Sequence, residues 1–164
     1  MSKDIKQSKK GFTIIEVVLV LAIAGLIFLM VFVALPTLQR SQRDTQRRSD
    51  MARFTTAINN YMASNNGSVP ADAAGFNAMI TNYLRVDGDS FQDPSGNNYT
   101  VAGGTNCTSA ACNQASVATD SGSGNIRVYT NATCTGENPT YDAGTRNIAF
   151  TSKLEGSGIY CGHN

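Results

Sequence analysis

Lys9-Lys10-Gly11-Phe12-Thr13-Ile14-Ile15-Glu16 stands at the head of the longest apolar run in the chain. Behind it, Val17 to Leu35 is nineteen residues without a charge, an amide or a hydroxyl. At about 1.5 Å per residue a helix of that run covers roughly 28 Å, close to the hydrocarbon thickness of a bilayer. Lys3, Lys6, Lys9 and Lys10 precede it, with only Asp4 opposing them. Positive charge resists translocation, so the first ten residues are expected in the cytoplasm and everything after Leu38 outside it.

Two details set this run apart from an ordinary anchor. Glu16 puts a carboxylate just inside an otherwise apolar helix, and the basic segment stops at Gly11, immediately before Phe12. An acidic residue is costly at mid-helix and less so toward the interface, where Glu16 reaches water. A glycine at the junction offers a sterically open peptide bond to a protease. Lys-Lys-Gly-Phe-Thr-Ile-Ile-Glu closely resembles the processing site of type IV prepilins. That resemblance implies cleavage between Gly11 and Phe12 by prepilin peptidase and N-methylation of Phe12. It also implies a role for Glu16 in assembly, neutralising the new amine of a neighbouring subunit in a filament core. The charge logic is sound, because either charge alone would be costly there.

The rival leader is a general secretory signal. Its apolar core runs about 7–15 residues and ends in a small-x-small site. Here the run is longer, and Phe32-Val33-Ala34 puts a bulky residue where a small one is needed. The expected organisation is therefore a leader over 1–11, a transmembrane or filament-core helix over 12–39, and a globular head over 40–164 that includes the second half of the helix. Without residues 1–11 the chain keeps 9 basic and 11 acidic residues, so no strong basic field points to nucleic acid.

One long helix is expected from Phe12 to about Asn65. Gly25 permits close helix contact, and Pro36 removes an amide, so a kink near Phe32–Pro36 follows. Pro36 lies about one helical turn further along than the proline of the pilins it resembles. Beyond it come Arg40, Arg43, Asp44, Arg47, Arg48, Asp50 and Arg53. Their three- and four-residue spacings read as a solvated helix with intrahelical pairs, rather than a nucleic-acid or phospholipid patch. Arg40 and Arg43 lie within reach of headgroups before assembly. Met51, Phe54, Ile58 and Tyr61 or Met62 then form a stripe suited to packing on a sheet. Asn65-Asn66-Gly67 and Pro70 end the helix. The segment from Asp50 to Pro70 also looks like the second half of a pilin helix.

A shorter helix is expected over Asp72–Leu84, with Phe76, Met79, Ile80 and Tyr83 on one face. Asp87-Gly88-Asp89 and Asp93-Pro94-Ser95-Gly96 are turn signals, and the three aspartates are a weak calcium candidate without EF-hand spacing. Four strands of a small antiparallel sheet are expected at Asn98–Val101, Asn125–Thr130, Asn147–Lys153 and Ile159–Cys161. Residues 103–124, rich in Gly, Ser, Thr, Ala and Asn, read as a surface loop. The fold class is α+β, a long N-terminal helix packed on a small antiparallel sheet.

Cys107, Cys112, Cys134 and Cys161 all follow the apolar run, and an even count in a translocated domain points to two disulfides among three pairings. The expected set is Cys107–Cys112, a local clip, and Cys134–Cys161, which resembles the disulfide-bounded C-terminal loop of many pilins. Zinc held by these cysteines and His163 is the alternative, against poor spacing. His163 is the sole histidine, sits beside the terminus with nothing expected to hold it, and has no supported nucleophile for a triad. No catalytic residue, cofactor or metal is therefore expected. The resemblance implies a structural subunit of a type IV pilus. Its partners would be prepilin peptidase, the inner-membrane assembly machinery, membrane lipid before assembly and other copies of itself in the filament. A pseudopilin of a type II secretion system keeps the same fold, and an unprocessed membrane-anchored binding domain is the third reading.

Overall fold

The structure is a computed structural model describing residues 11–86, 88–108, 112, 124–144, 146–156 and 158–164. It divides into two units, one ending at Gln39 and the other running from Arg40 to Asn164. Helix α1, Ile14–Ser64, supplies the first unit and enters the second. In residues 11–39 every side chain is exposed except that of Ala24, which is half-buried. Pro36 lies inside the helix, where the Thr37 hydroxyl donates to the Ala34 carbonyl at 2.8 Å.

Within 40–164, α1 buries Arg47, Asp50, Met51, Phe54, Ala57 and Ile58, a stripe at three- and four-residue steps. It ends as the sequence implies. Asn66 and Gly67 take left-handed backbone angles (φ 54° and 78°), and the Gly67 amide donates to the Met62 carbonyl at 2.7 Å. Helix α2, Ala73–Tyr83, is capped by Asp72, whose carboxylate accepts from the Gly75 amide at 2.8 Å. Phe76, Met79 and Ile80 go into the core, while Tyr83 is half-buried edge-on to Tyr61.

Among the described residues six strands follow: β1 Thr100–Asn106, β2 Asn125–Thr130, β3 Ala132–Thr135, β4 Asn138–Tyr141, β5 Ile148–Lys153 and β6 Ile159–His163. The main sheet has the order β1-β2-β5-β6, and β3 pairs with β4 separately. One face carries Ile126, Val128, Ile148 and Phe150 against Met51, Phe54, Phe76 and Ile80, with Phe54 and Phe150 edge-to-face at 5.0 Å. The other face carries Tyr129 and Ala149 beneath Ala132, Cys134, Cys161 and the Cys107–Cys112 pair. Alternation along β2 and β5 thus serves two cores.

Four features differ from the sequence reading. The sheet is mixed, because β1 runs parallel to β2. A parallel pair needs a crossover of a dozen or more residues, and the chain between Asn106 and Asn125 is long enough to supply one. β1 also starts later than expected and takes in Gly103 and Gly104, which pair with Arg127 and Val128 after a register shift at Val101/Gly103. Pairing to a neighbour overrides the low strand propensity of glycine there. The hairpin β3–β4 was not expected at all. It turns at Gly136, with φ 65°. His163, expected to be loose, belongs to β6 opposite Ala149.

Candidate functional site

Gly11, Phe12 and Thr13 precede α1 in non-helical backbone. The Thr13 carbonyl accepts from the amides of Glu16 (3.2 Å) and Val17 (3.4 Å), closing the first turn. Glu16 stands in that turn, where a carboxylate complements the positive end of the helix dipole. Phe12 is 85% exposed, and an added Cβ at Gly11 would meet nothing within 4 Å. Packing among the described residues therefore gives no reason for a glycine at position 11. Phe12, Glu16, Val17, Val20 and Leu21 line one open groove on the helix.

Behind the junction, the uncovered surface is apolar all round, from Val17 through Leu35. Fully burying one Val, Leu, Ile or Phe side chain is worth about 1.5–3 kcal/mol, so a helix of this composition gains a great deal from lipid or other helices around it. It is long and apolar enough to cross a membrane. Residues 6–32 match the family model of the prokaryotic N-terminal methylation motif, which is the class III signal peptide of type IV pilins and pseudopilins. The matched segment supports a type IV pilin-like prepilin or pseudopilin. No curated protein and no solved structure matches the chain. The long helix with a small mixed sheet is an α+β arrangement consistent with the type IV pilin fold.

The unit from Arg40 to Asn164 corrects the reading of Arg40–Arg53 as a solvated charge run. Arg47 is 3% exposed and Asp93 2% exposed. The Arg47 guanidinium grips the Asp93 carboxylate through Nε (2.5 Å) and Nη2 (3.0 Å), and reaches Glu155 at 3.0 Å and Asp44 at 3.2 Å. Asp44 in turn accepts from the backbone amides of Glu155 (2.8 Å) and Gly156 (3.0 Å). Arg43 holds both oxygens of Glu155. One helical turn of α1 thereby clasps the turn between β5 and β6 and the loop at Asp93. Asp93 also accepts from the Ser95 amide and hydroxyl, and Asp50 receives the Tyr99 hydroxyl at 3.3 Å.

The electrostatics follow from those contacts. The hydrogen bond it donates to Asp93 outweighs desolvation and raises the Arg47 pKa, so its charge is secure. Hydrogen bonding from Arg43 lowers the Glu155 pKa. Burial raises the Asp50 carboxyl, and burial followed by the Asp50 charge raises the Tyr99 phenol.

The same contacts bear on the calcium candidate. Asp89 pairs with Arg53 and Asp93 with Arg47, while Asp87 lies outside the described residues. Among the described residues no group of acidic, histidine or cysteine side chains has metal-binding geometry. Cys107 is bonded to Cys112 and Cys134 to Cys161, with Cα separations of 5.5 and 5.9 Å. Their sulfurs are thus unavailable to zinc. Sequence reasoning missed the Arg47–Asp93 pair. Its one visible signal is that Arg47 and Asp50 fall in the same stripe as Met51, Phe54 and Ile58.

Proposed function

We propose that this protein is a structural subunit of a type IV pilus. Prepilin peptidase removes residues 1–11 by cutting between Gly11 and Phe12, and the new Phe12 amine is methylated. Residues 12–39 pass from lipid into the core of a filament made of many copies, and residues 40–164 form its outer part. Glu16 pairs with the amine of a neighbouring Phe12, and Pro36 is where the helix bends to fit. Assembly is driven by the inner-membrane machinery and favoured by exchange of lipid contacts for helix packing.

The observation that carries this reading is the apolar helix, exposed except at Ala24, that runs through the methylation motif and beyond it. The open space around Gly11 and Gly25 supports it further. Among the described residues no contact requires either glycine, which leaves a peptidase and a neighbouring helix as the partners each would serve. The test is the intact mass and N-terminal sequence of protein recovered from its native host. A chain beginning at methylated Phe12 in sheared surface filaments is expected. A chain still beginning at residue 1 or 2, in a host with active prepilin peptidase, overturns the proposal. A processed chain confined to a periplasmic secretion complex assigns it instead as a pseudopilin.

A further inference from the structure

A filament of identical subunits needs a heterologous contact, in which two different patches of one chain fit each other. The ion pairs of the head show where such patches remain. Arg43, Arg47 and Arg53 are taken up by Asp44, Asp50, Asp89, Asp93 and Glu155, and Asp72 caps α2. Among the described residues from 40 onward, the carboxylates left with neither a cation nor a cap are Glu137 and Asp142. Both flank β4, on the hairpin β3–β4. On α1, Arg40 and Arg48 are exposed and pair with no carboxylate among the described residues.

The two patches belong to elements whose buried residues join different cores. α1 covers the face of Ile126, Val128 and Phe150, whereas Ala132 and Cys134 of the hairpin cover the face of Tyr129 and Ala149. Among the described residues neither Arg40 nor Arg48 pairs with Glu137 or Asp142 of its own chain, which leaves both patches free to meet those of another copy. We infer that the β3–β4 hairpin of one subunit docks on the Arg40–Arg48 segment of α1 in the next; this rests on the filament reading above.

The dimensions agree. Arg40 and Arg48 are about 12 Å apart along the helix. Glu137 and Asp142 are about 16 Å apart along an extended strand, a difference that long arginine side chains span. Between the two acids stands Tyr141, 42% exposed. It offers an aromatic face on which a guanidinium stacks, the kind of anchor that dominates small interfaces. Opposite charges on the two patches also set register and disfavour pairing of like faces.

The experiment is a charge exchange in the full chain, expressed in the native host, with sheared filament yield as the readout. Glu137→Lys with Asp142→Lys, and separately Arg40→Glu with Arg48→Glu, should each lower yield about tenfold or more. The four changes together should restore it to within about threefold of the parent. The gentler pair Glu137→Gln with Asp142→Asn guards against misfolding, and should lower yield while leaving cleavage and both disulfides intact. Unchanged yield in that neutral variant, or no recovery in the fourfold exchange when all chains are processed and disulfide-bonded, overturns the inference and leaves the pilus reading standing. Absence of filaments from the unaltered chain would instead remove the pilus reading itself.

Discussion

Replacing Asp93 by Asn tests whether α1 is held to the head by a buried charge pair. The substitution keeps the shape of the side chain but removes the charge that faces Arg47 Nε and Nη2 in a site where both residues are nearly inaccessible. Breaking a buried pair from one side typically costs about 3–5 kcal/mol, because the remaining charge stays desolvated. Arg47 would keep Glu155 and Asp44, both of them more accessible than Asp93, so the loss should fall at the lower end, about 3 kcal/mol. Removing both charges, with Arg47→Met and Asp93→Asn together, should bring stability back to within about 1–2 kcal/mol of the parent. Urea unfolding of the processed protein in detergent, disulfides intact, measures both; urea is chosen because it does not screen charge. Near-ultraviolet circular dichroism is the suitable probe, since the chain has six tyrosines and no tryptophan. A loss below about 1 kcal/mol for Asp93→Asn, or a double variant as unstable as the sum of the singles, would refute the reasoning.

Four further outcomes follow. The Glu155 pKa is lower in the folded state than in the unfolded one, so its contribution is fully present above the ordinary carboxylate range and lost as pH falls through the lowered value. Stability of Glu155→Gln should therefore differ from the parent at pH 7 and converge with it in acid, while Asp50, shifted upward, works in the opposite sense. Removing the Cys134–Cys161 bridge, which closes a 27-residue separation, should cost about 3–4 kcal/mol in urea without abolishing cleavage at Gly11. The Asn77 side chain accepts from the Val101 amide at 2.8 Å and donates to its carbonyl at 3.2 Å, standing in for a strand beside β1. Asn77→Ala should cost about 1–3 kcal/mol and speed hydrogen exchange at Val101. Glu16→Ala should reduce filament incorporation with cleavage largely unaffected, and normal filament yield would count against charge pairing at the Phe12 amine.

Local signals carried much of the fold. α1 was visible because its apolar run is long enough to span a bilayer and its later stripe repeats on a helical period, and α2 because Phe76, Met79, Ile80 and Tyr83 share one face. β2 was visible because Ile126, Val128 and Thr130 alternate. What stayed hidden depends on partners far away in the chain. β3 and β4 are four residues each, rich in threonine and interrupted by Pro139, too short for periodicity to register. The parallel direction of β1 is set by its crossover, which leaves no mark on the strand itself. Arg47 and Asp93 are separated by 46 residues, so no helical spacing rule could join them, and the nearby Asp44 and Asp50 offered an easier local explanation.

The parallel pairing of β1 and β2 has a consequence for the order in which the molecule is made. A strand that emerges early from the membrane or ribosome has no hydrogen-bonding neighbour until the whole crossover and β2 have followed it. The stripe on α1 waits longer still, since Phe54 meets Phe150 roughly a hundred residues later in the chain. During that interval Met51, Phe54 and Ile58 present a greasy surface beside the equally greasy N-terminal run. Contacts of such long sequence separation make closure slow relative to a helical bundle. The nascent subunit is therefore most prone to aggregation just before β5 arrives. Retention at the bilayer through residues 12–39 would keep such chains dilute and apart while the head completes itself.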